Sequence, residues 1–312
     1  MRAASLLAAA TASAWVTGCG VGAGEQAGGV HLRVTDDFGA KVITEPAKPK
    51  QGGSDTVMRL LQRNADVQTR YGGGFVQAVD GLAGRSVDEQ VDWFYYVNGL
   101  LAERGAAAWR VEDGDRIWWD RHRWDTAQVN AVVGDFPQPM KDGVDGRWTG
   151  ALLDCRSTVE VCAAAKRKLE DAGVTVTTGK AVADAKQTRV VVGAWGTIAN
   201  AAPELAGLTD GPATSGVFAR VGDRGDIAPL DAAGETLVQT DLLGDGLVAA
   251  LWDGSSSPVW VVTGPEDGAV SAAVAALNAP ALAGRAAVRV VAGRAQPLPL
   301  REGEIGRKVD GS

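Results

Sequence analysis

Residues 56–119 contain the sequence blocks that decide the fold of the first part of this chain. The blocks are TVMRLLQRN (56–64), FVQAVDG (75–81), WFYYVNG (93–99) and WRVEDGDRIWW (109–119). In the first block, Val57, Leu60 and Leu61 recur at i, i+3 and i+4, which predicts one amphipathic helix. Ser54 is its expected N-cap. The later blocks are short runs of aromatic and β-branched residues separated by Asp-Gly and Asn-Gly pairs, which predict strands joined by tight turns.

A hairpin is predicted ahead of this helix. HLRVTDDFG (31–39) alternates with Leu32 and Val34 on one face, and AKVIT (40–44) resumes the strand pattern after the turn. Two strands, one helix and further strands within residues 30–124 predict an α+β sandwich of one sheet and one helix. A β-grasp (ubiquitin-like) domain is the simplest such topology.

The strand at residues 93–97 carries aromatic side chains on both faces. Side chains alternate along a strand, so Trp93 and Tyr95 point to one face while Phe94 and Tyr96 point to the other. One helix covers only one face of a sheet, and the uncovered aromatic face is then a candidate ligand surface. The alternative is that the second face packs against the rest of the chain.

The succession of these blocks over residues 30–124 resembles the C-terminal β-grasp domain of transcobalamin and intrinsic factor, in its bacterial lipoprotein version. The resemblance implies that a flat corrinoid lies against the edge of the domain. The ligand-binding positions that it implies are Phe75, Gln77, Trp93, Tyr95 and Asn98. Those carriers complete the site with an α-helical barrel, and residues 127–312 show no such pattern. The Asn98-Gly99 pair is also typical of a plain type I′ turn.

The N-terminus predicts export and lipid anchoring. Residues 1–19 (MRAASLLAAATASAWVTGC) form a lipoprotein signal peptide with Cys19 as the lipidation site, and residues 20–29 form a flexible tether. We therefore expect the protein at the extracytoplasmic face of the cell membrane. Cleaved secretion is the alternative. In this oxidising compartment Cys155 and Cys162 are expected to form a disulfide rather than two free buried thiols.

The remainder of the chain has the alternating pattern of an α/β domain. Val-rich runs alternate with helical stretches over residues 126–300, so the predicted organisation is a β-grasp domain (30–125), a larger α/β domain of no recognised family (126–300) and a polar tail (301–312) expected to fray. The clearest helix is predicted at 157–172, where Ser157 and Glu160 suggest a capping box.

Charge and motif content exclude several classes of function. The chain has 31 Lys and Arg against 38 Asp and Glu, without a basic patch, so we expect no nucleic-acid partner. There is no GxSxG or HExxH motif and no unassigned cysteine. We therefore predict no enzyme, no catalytic residue, no metal site and no cofactor, with cobalamin only as a transported ligand. His122 is interpreted as a surface residue of a polar linker rather than as a cobalt ligand.

Two functions remain open at this point. The first is an extracytoplasmic, membrane-anchored protein that captures a ligand for uptake through a membrane transporter, with a corrinoid implied by the resemblance. The alternative is a cell-envelope scaffold that docks a protein or a cell-wall polymer through its aromatic face.

Overall fold

The computed structural model describes residues 26–84, 89–236, 244–304 and 306–309. The predicted signal peptide, Cys19 and most of the tether lie outside these residues. No helix within the described ranges is long and apolar enough to cross a membrane.

The first part of the chain forms two small sheets and one helix. The elements are β1 (His31–Asp36), β2 (Lys41–Thr44), α1 (Val57–Asn64), β3 (Val67–Arg70), a 3-10 turn (Tyr71–Gly73), β4 (Phe75–Val79), β5 (Leu82–Ala83), β6 (Val91–Val97), β7 (Leu100–Leu101) and β8 (Arg116–Arg123). The main sheet has the order β2-β1-β8-β6-β7, and only its central pair β1/β8 is parallel. Strands β3, β4 and β5 form a separate antiparallel sheet. The predicted hairpin and the α+β class are confirmed, and this strand order is compatible with the β-grasp interpretation.

The N-cap of α1 differs from the prediction. The helix begins after Thr56, whose side-chain oxygen accepts a hydrogen bond from the backbone N–H of Arg59 at 3.3 Å. Ser54 has a φ of 53° and lies in the turn that precedes the cap. Ser and Thr are both favourable N-cap residues, and here the backbone conformation places Thr56 rather than Ser54 at the cap.

The second part of the chain is built on one eight-stranded sheet. Its elements are β9 (Trp148–Arg156), α2 (Val159–Asp171), β10 (Val176–Thr178), β11 (Gln187–Ala194), α3 (Trp195–Ile198), a 3-10 helix (Pro203–Ala206), α4 (Gly207–Asp210), α5 (Pro212–Ser215), β12 (Ala219–Val221), β13 (Ile227–Pro229), β14 (Gly246–Leu251), β15 (Val259–Gly264), α6 (Asp267–Ala275), α7 (Ala279–Leu282), β16 (Ala287–Val291), β17 (Arg294–Leu298) and β18 (Arg307–Lys308). The sheet order is β10-β9-β11-β15-β14-β16-β17-β18. Its first four strands are parallel, as α/β alternation predicts, whereas the strands from β14 onward pair antiparallel.

Two local predictions in this part are settled by the structure. The Cys155–Cys162 disulfide is confirmed, and it joins the end of β9 to the first turn of α2. The N-cap of α2 is Thr158 rather than Ser157, because Thr158 accepts the hydrogen bond from the N–H of Val161 while the Ser157 hydroxyl donates to Asp267.

The predicted polar tail is not uniformly frayed. Within it, β18 pairs with β17, and the guanidinium of Arg301 contacts Asp37 of the first part at 3.1 Å. A polar segment can therefore pack on the folded chain when it adds a strand to the edge of a sheet and forms an ion pair.

Candidate functional site

Trp93 and Tyr95, two of the predicted ligand contacts, face α1 and are buried. Their exposed fractions are 6% and 8%. The Trp93 indole N–H donates to the carbonyl of Leu82 at 3.2 Å. The Tyr95 ring stacks on Trp119 with centroids 4.9 Å apart, and its hydroxyl donates to the carbonyl of Arg104. Both side chains hold the helix, the small sheet and the main sheet together, so they offer no free surface to a ligand.

The opposite face of the same strand is also covered. Tyr96 is 1% exposed, and its hydroxyl donates to the carbonyl of Val129 at 3.0 Å. Trp118 and Phe218 belong to the same apolar cluster, so the second part of the chain packs on this face. The expectation of an uncovered aromatic face is therefore wrong, and the alternative, that the rest of the chain covers it, is confirmed.

The side chain of Asn98 stabilises the turn in which it lies. Its φ of 52° and the φ of 82° at Gly99 fit the predicted type I′ turn between β6 and β7. The Asn98 amide donates to Asp115 at 2.9 Å and to the carbonyl of Gly143 at 2.7 Å, and its oxygen accepts from the N–H of Arg116 at 2.8 Å. With 2% exposure and both ends of the amide engaged, the Asn98 side chain is not accessible to a ligand.

Phe75 and Gln77 are the predicted contacts that remain accessible. They alternate along β4 on the face that does not pack inward, where Phe75 is 40% exposed and Gln77 is half-buried. The side-chain amide of Gln77 has no hydrogen-bond partner among the residues that the structure describes. Arg70 pairs with Phe75 across the β3/β4 ladder and is exposed.

A second exposed ring lies at the tip of the same hairpin. Tyr71 is 87% exposed, and its ring meets Phe75 edge-on at a centroid distance of 6.3 Å. The β4 surface, which we define as Arg70, Tyr71, Phe75 and Gln77, therefore combines two rings, a guanidinium and a free amide. Arg70 and Tyr71 were not among the predicted site residues, although the RYGGGF run (70–75) could have indicated a hairpin tip.

His122 is not a surface residue of a linker. It lies on β8 and is 4% exposed, with its ring between those of Phe38 and Phe94 at 4.5 Å from each. Its Nδ1 lies 2.8 Å from a carboxylate oxygen of Asp120. The prediction failed because DRHRWD looks polar in sequence, whereas its alternate residues face the second part of the chain. No group of three or more His, Cys, Asp or Glu side chains suited to a metal occurs in the described ranges.

A family model matches this same part of the chain. A domain of unknown function (DUF4430) matches residues 54–123, which include α1, the β4 surface and β8. The crystal structure of a candidate metal-binding protein from Ruminococcus gnavus ATCC 29149 is similar over 32% of this chain and 97% of that chain, with 18% sequence identity and a TM-score of 0.25. No curated protein matches the chain.

Asp135 is a buried acid with few donors around it. It is 0% exposed, and neither carboxylate oxygen has a described donor within hydrogen-bond geometry, although the backbone N–H of Gly99 lies near enough to favour the charged form. The closest cation is the Arg116 guanidinium, whose Nε lies 3.7 Å from Oδ1. Burial raises the pKa of Asp135 to about 6, although Arg116 and Arg33 oppose this shift.

Asp135 should make the stability of the protein depend on pH. Its pKa of about 6 in the folded state lies above the unfolded value of about 4, so its contribution to stability is complete below about pH 4 and is lost as the pH rises through about 6. Two pKa units correspond to about 3 kcal/mol. We expect the free energy of unfolding of the wild type to fall by up to about 3 kcal/mol relative to Asp135→Asn between pH 4 and pH 7, measured by urea denaturation.

The control for this comparison is Asp145→Asn. The Asp145 carboxylate is 47% exposed and pairs with Arg104 at the surface, at 3.1 Å. This variant should keep the pH dependence of the wild type. Parallel stability curves for the wild type and Asp135→Asn would show that the carboxyl does not titrate as described.

Proposed function

We propose that this chain is a lipid-anchored extracytoplasmic protein that binds a ligand at the β4 surface and presents it to a membrane transporter for uptake. The observation that carries the proposal is the free amide of Gln77 beside the exposed ring of Phe75. Binding sites commonly pair an apolar wall with a few polar groups that fix orientation. Two of the five positions implied by the transcobalamin resemblance meet this requirement.

A corrinoid is the ligand that this proposal names. Its flat ring is apolar on its faces and carries amide side chains at its edge, so it could stack on Phe75 while an amide bonds to Gln77. The support is the resemblance of residues 30–124 together with the accessibility of these two residues. Because Trp93, Tyr95 and Asn98 are buried, the proposed corrinoid contact is with the outer side of the β3–β4 hairpin.

The proposed location is supported by the sequence and by the disulfide. Residues 1–19 have the charge, apolar run and terminal Cys19 of a lipoprotein signal. The Cys155–Cys162 bond is of a kind that persists in oxidising compartments outside the cytoplasm.

Cobalamin titration of the complete chain tests the ligand. We expect a change in the visible spectrum of cobalamin, and a stabilisation of about 2.7 kcal/mol when the ligand is present at about 100 times its dissociation constant. The substitutions Phe75→Ala and Gln77→Leu should each weaken binding about tenfold, since each removes one of the two kinds of contact.

Gln62→Leu is the matched control, because Gln62 is exposed on α1 away from β4. It should bind cobalamin like the wild type. If no corrinoid changes the spectrum or the unfolding temperature, the corrinoid proposal is wrong. Equal weakening by Gln62→Leu and Gln77→Leu would remove the β4 surface as the site.

The second candidate function is a cell-envelope scaffold. The 87% exposure of Tyr71 favours it, because a ring that stands out from a hairpin tip can stack on a sugar or insert into a partner protein. Sedimentation of the chain with purified cell-wall polymer, compared with Tyr71→Ala, would distinguish this function from cobalamin binding.

A further inference from the structure

The second part of the chain has a groove that the proposed function does not use. It has a volume of about 580 Å³ and runs along the first half of α2, beside the carboxyl ends of the parallel strands β9 and β10. In open sheets with parallel strands, ligands bind beyond the carboxyl ends of the strands. The volume lies within the range of small-molecule sites.

The walls of the groove are mainly apolar. Leu153 contributes from β9, and Val159 and Ala163 contribute from α2. Val159 is 81% exposed, which is unusual for a β-branched apolar side chain at the start of a helix. The Cys155–Cys162 disulfide forms part of the wall and fixes the position of α2 relative to β9. Leu153 is 3% exposed, whereas Val159 and Ala163 face solvent, so an apolar ligand body would cover these two side chains.

The charged groups of the groove leave an excess of positive charge. Lys166 and Lys180 both line it. Among the described residues Asp154 is the only carboxylate that lines the groove, and it is engaged by Arg156 at 2.8 Å and by the N–H of Ala181 at 3.0 Å. Lys166 makes a loose surface pair with Glu170 at 3.7 Å, a kind of pair that contributes little and leaves the ammonium group available.

We propose that this groove binds an amphipathic small molecule with an apolar chain and one anionic head group, as in a long-chain carboxylate. The chain lies against Leu153, Val159 and the disulfide, and the head group lies between Lys166 and Lys180. The site is separate from the β4 surface and does not depend on corrinoid binding.

Calorimetric titration with dodecanoate below its micellar concentration tests the proposal. The protein is the complete chain carrying Cys19→Ser, which cannot be lipidated. We expect saturable binding of dodecanoate and weaker binding of dodecyltrimethylammonium, which has the same chain and the opposite charge. Dodecyl phosphate is the third probe. Tighter binding of the phosphate would assign the site to a phospholipid-like head group rather than to a carboxylate.

Three variants locate the site. Lys166→Gln combined with Lys180→Gln should weaken dodecanoate binding at least about tenfold. Ala163→Phe should abolish it, because the residue is exposed on the groove wall and the added ring occupies the groove. Arg167→Gln removes a cation from the same helix outside the groove and should leave binding unchanged.

Circular dichroism and the urea midpoint establish that each variant is folded. The proposal is overturned if the wild type does not bind dodecanoate, if the double lysine variant binds as tightly as Arg167→Gln, or if the cationic probe binds as well as the anion. Cobalamin titration of Ala163→Phe separates the two sites, since failure of the groove leaves the corrinoid result unchanged.

Discussion

Trp118→Ala is expected to lower the free energy of unfolding by about 4 kcal/mol, within the range measured when a large aromatic side chain is deleted from a core. Trp118 is 1% exposed, and its indole N–H donates to the Thr35 hydroxyl at 2.6 Å. Its ring lies against the backbones of Gly39 and Gly134, so no flexible side chain there can move in to fill the cavity. Urea denaturation followed by circular dichroism measures the loss.

Trp124→Ala is the matched control, because it makes the same chemical change a few residues later. Trp124 is 42% exposed, and its substitution should cost less than about 1 kcal/mol. If both variants lost the same stability, the packing of the second part of the chain on the main sheet would be wrong. This comparison therefore tests the finding that the second part of the chain covers the Tyr96 face of the main sheet and leaves no uncovered aromatic face for a ligand.

The sequence predicted the two faces of the aromatic strand but not what covers them. Alternation is a local property, so Trp93 and Tyr96 could be assigned to opposite faces from residues 93–97 alone. The cover on the Tyr96 face comes from residues such as Phe218, more than 100 positions later. No local pattern encodes that contact, and for this reason the alternative of a covered face stayed open until the structure decided it.

In the candidate site too, features set by neighbouring residues could be predicted, whereas contacts between distant residues could not. The type I′ turn at Asn98 follows from the Asn-Gly pair. The hydrogen bond from Asn98 to the carbonyl of Gly143 depends on a loop 45 residues away, and this bond helps to remove the side chain from the ligand surface. Phe75 and Gln77 were reached through the family resemblance, and their accessibility on β4 could be seen only in the folded chain.

Buried charge was the least predictable feature, since a polar run is normally interpreted as exposed. Asp120 and His122 alternate on β8 with residues that face the helix side, so both point toward the second part of the chain. A search for alternation in RIWWDRHR (116–123) would have placed them on the same face as Trp118. The sequence therefore contained the two-residue alternation of a strand, but its charged residues led to the prediction of a polar linker.

Asp120→Asn is expected to cost about 3 kcal/mol of stability, because it breaks a buried network around a carboxylate that is 1% exposed. One carboxylate oxygen accepts from the Thr35 hydroxyl and from the N–H of Gly39 at 3.0 Å. The other accepts from the N–H of Phe38 at 2.9 Å and lies 2.8 Å from Nδ1 of His122. An amide offers one acceptor oxygen instead of two, so the variant leaves at least one backbone N–H of the β1–β2 turn unpaired.

The pH dependence separates this effect from a general loss of packing. Burial alone would raise the pKa of Asp120, but its hydrogen bonds and its charge interaction with His122 outweigh burial and lower it. With a folded pKa below the unfolded value of about 4, the carboxylate contributes fully above about pH 4, and this contribution is lost as the pH falls through the folded pKa. The difference between wild type and Asp120→Asn should therefore shrink as the pH falls below about 4. Asp125→Asn, which affects an exposed pair with Arg123, should cost less than about 1 kcal/mol. An equal loss in both variants would mean that the Asp120 network does not stabilise the β1–β2 turn.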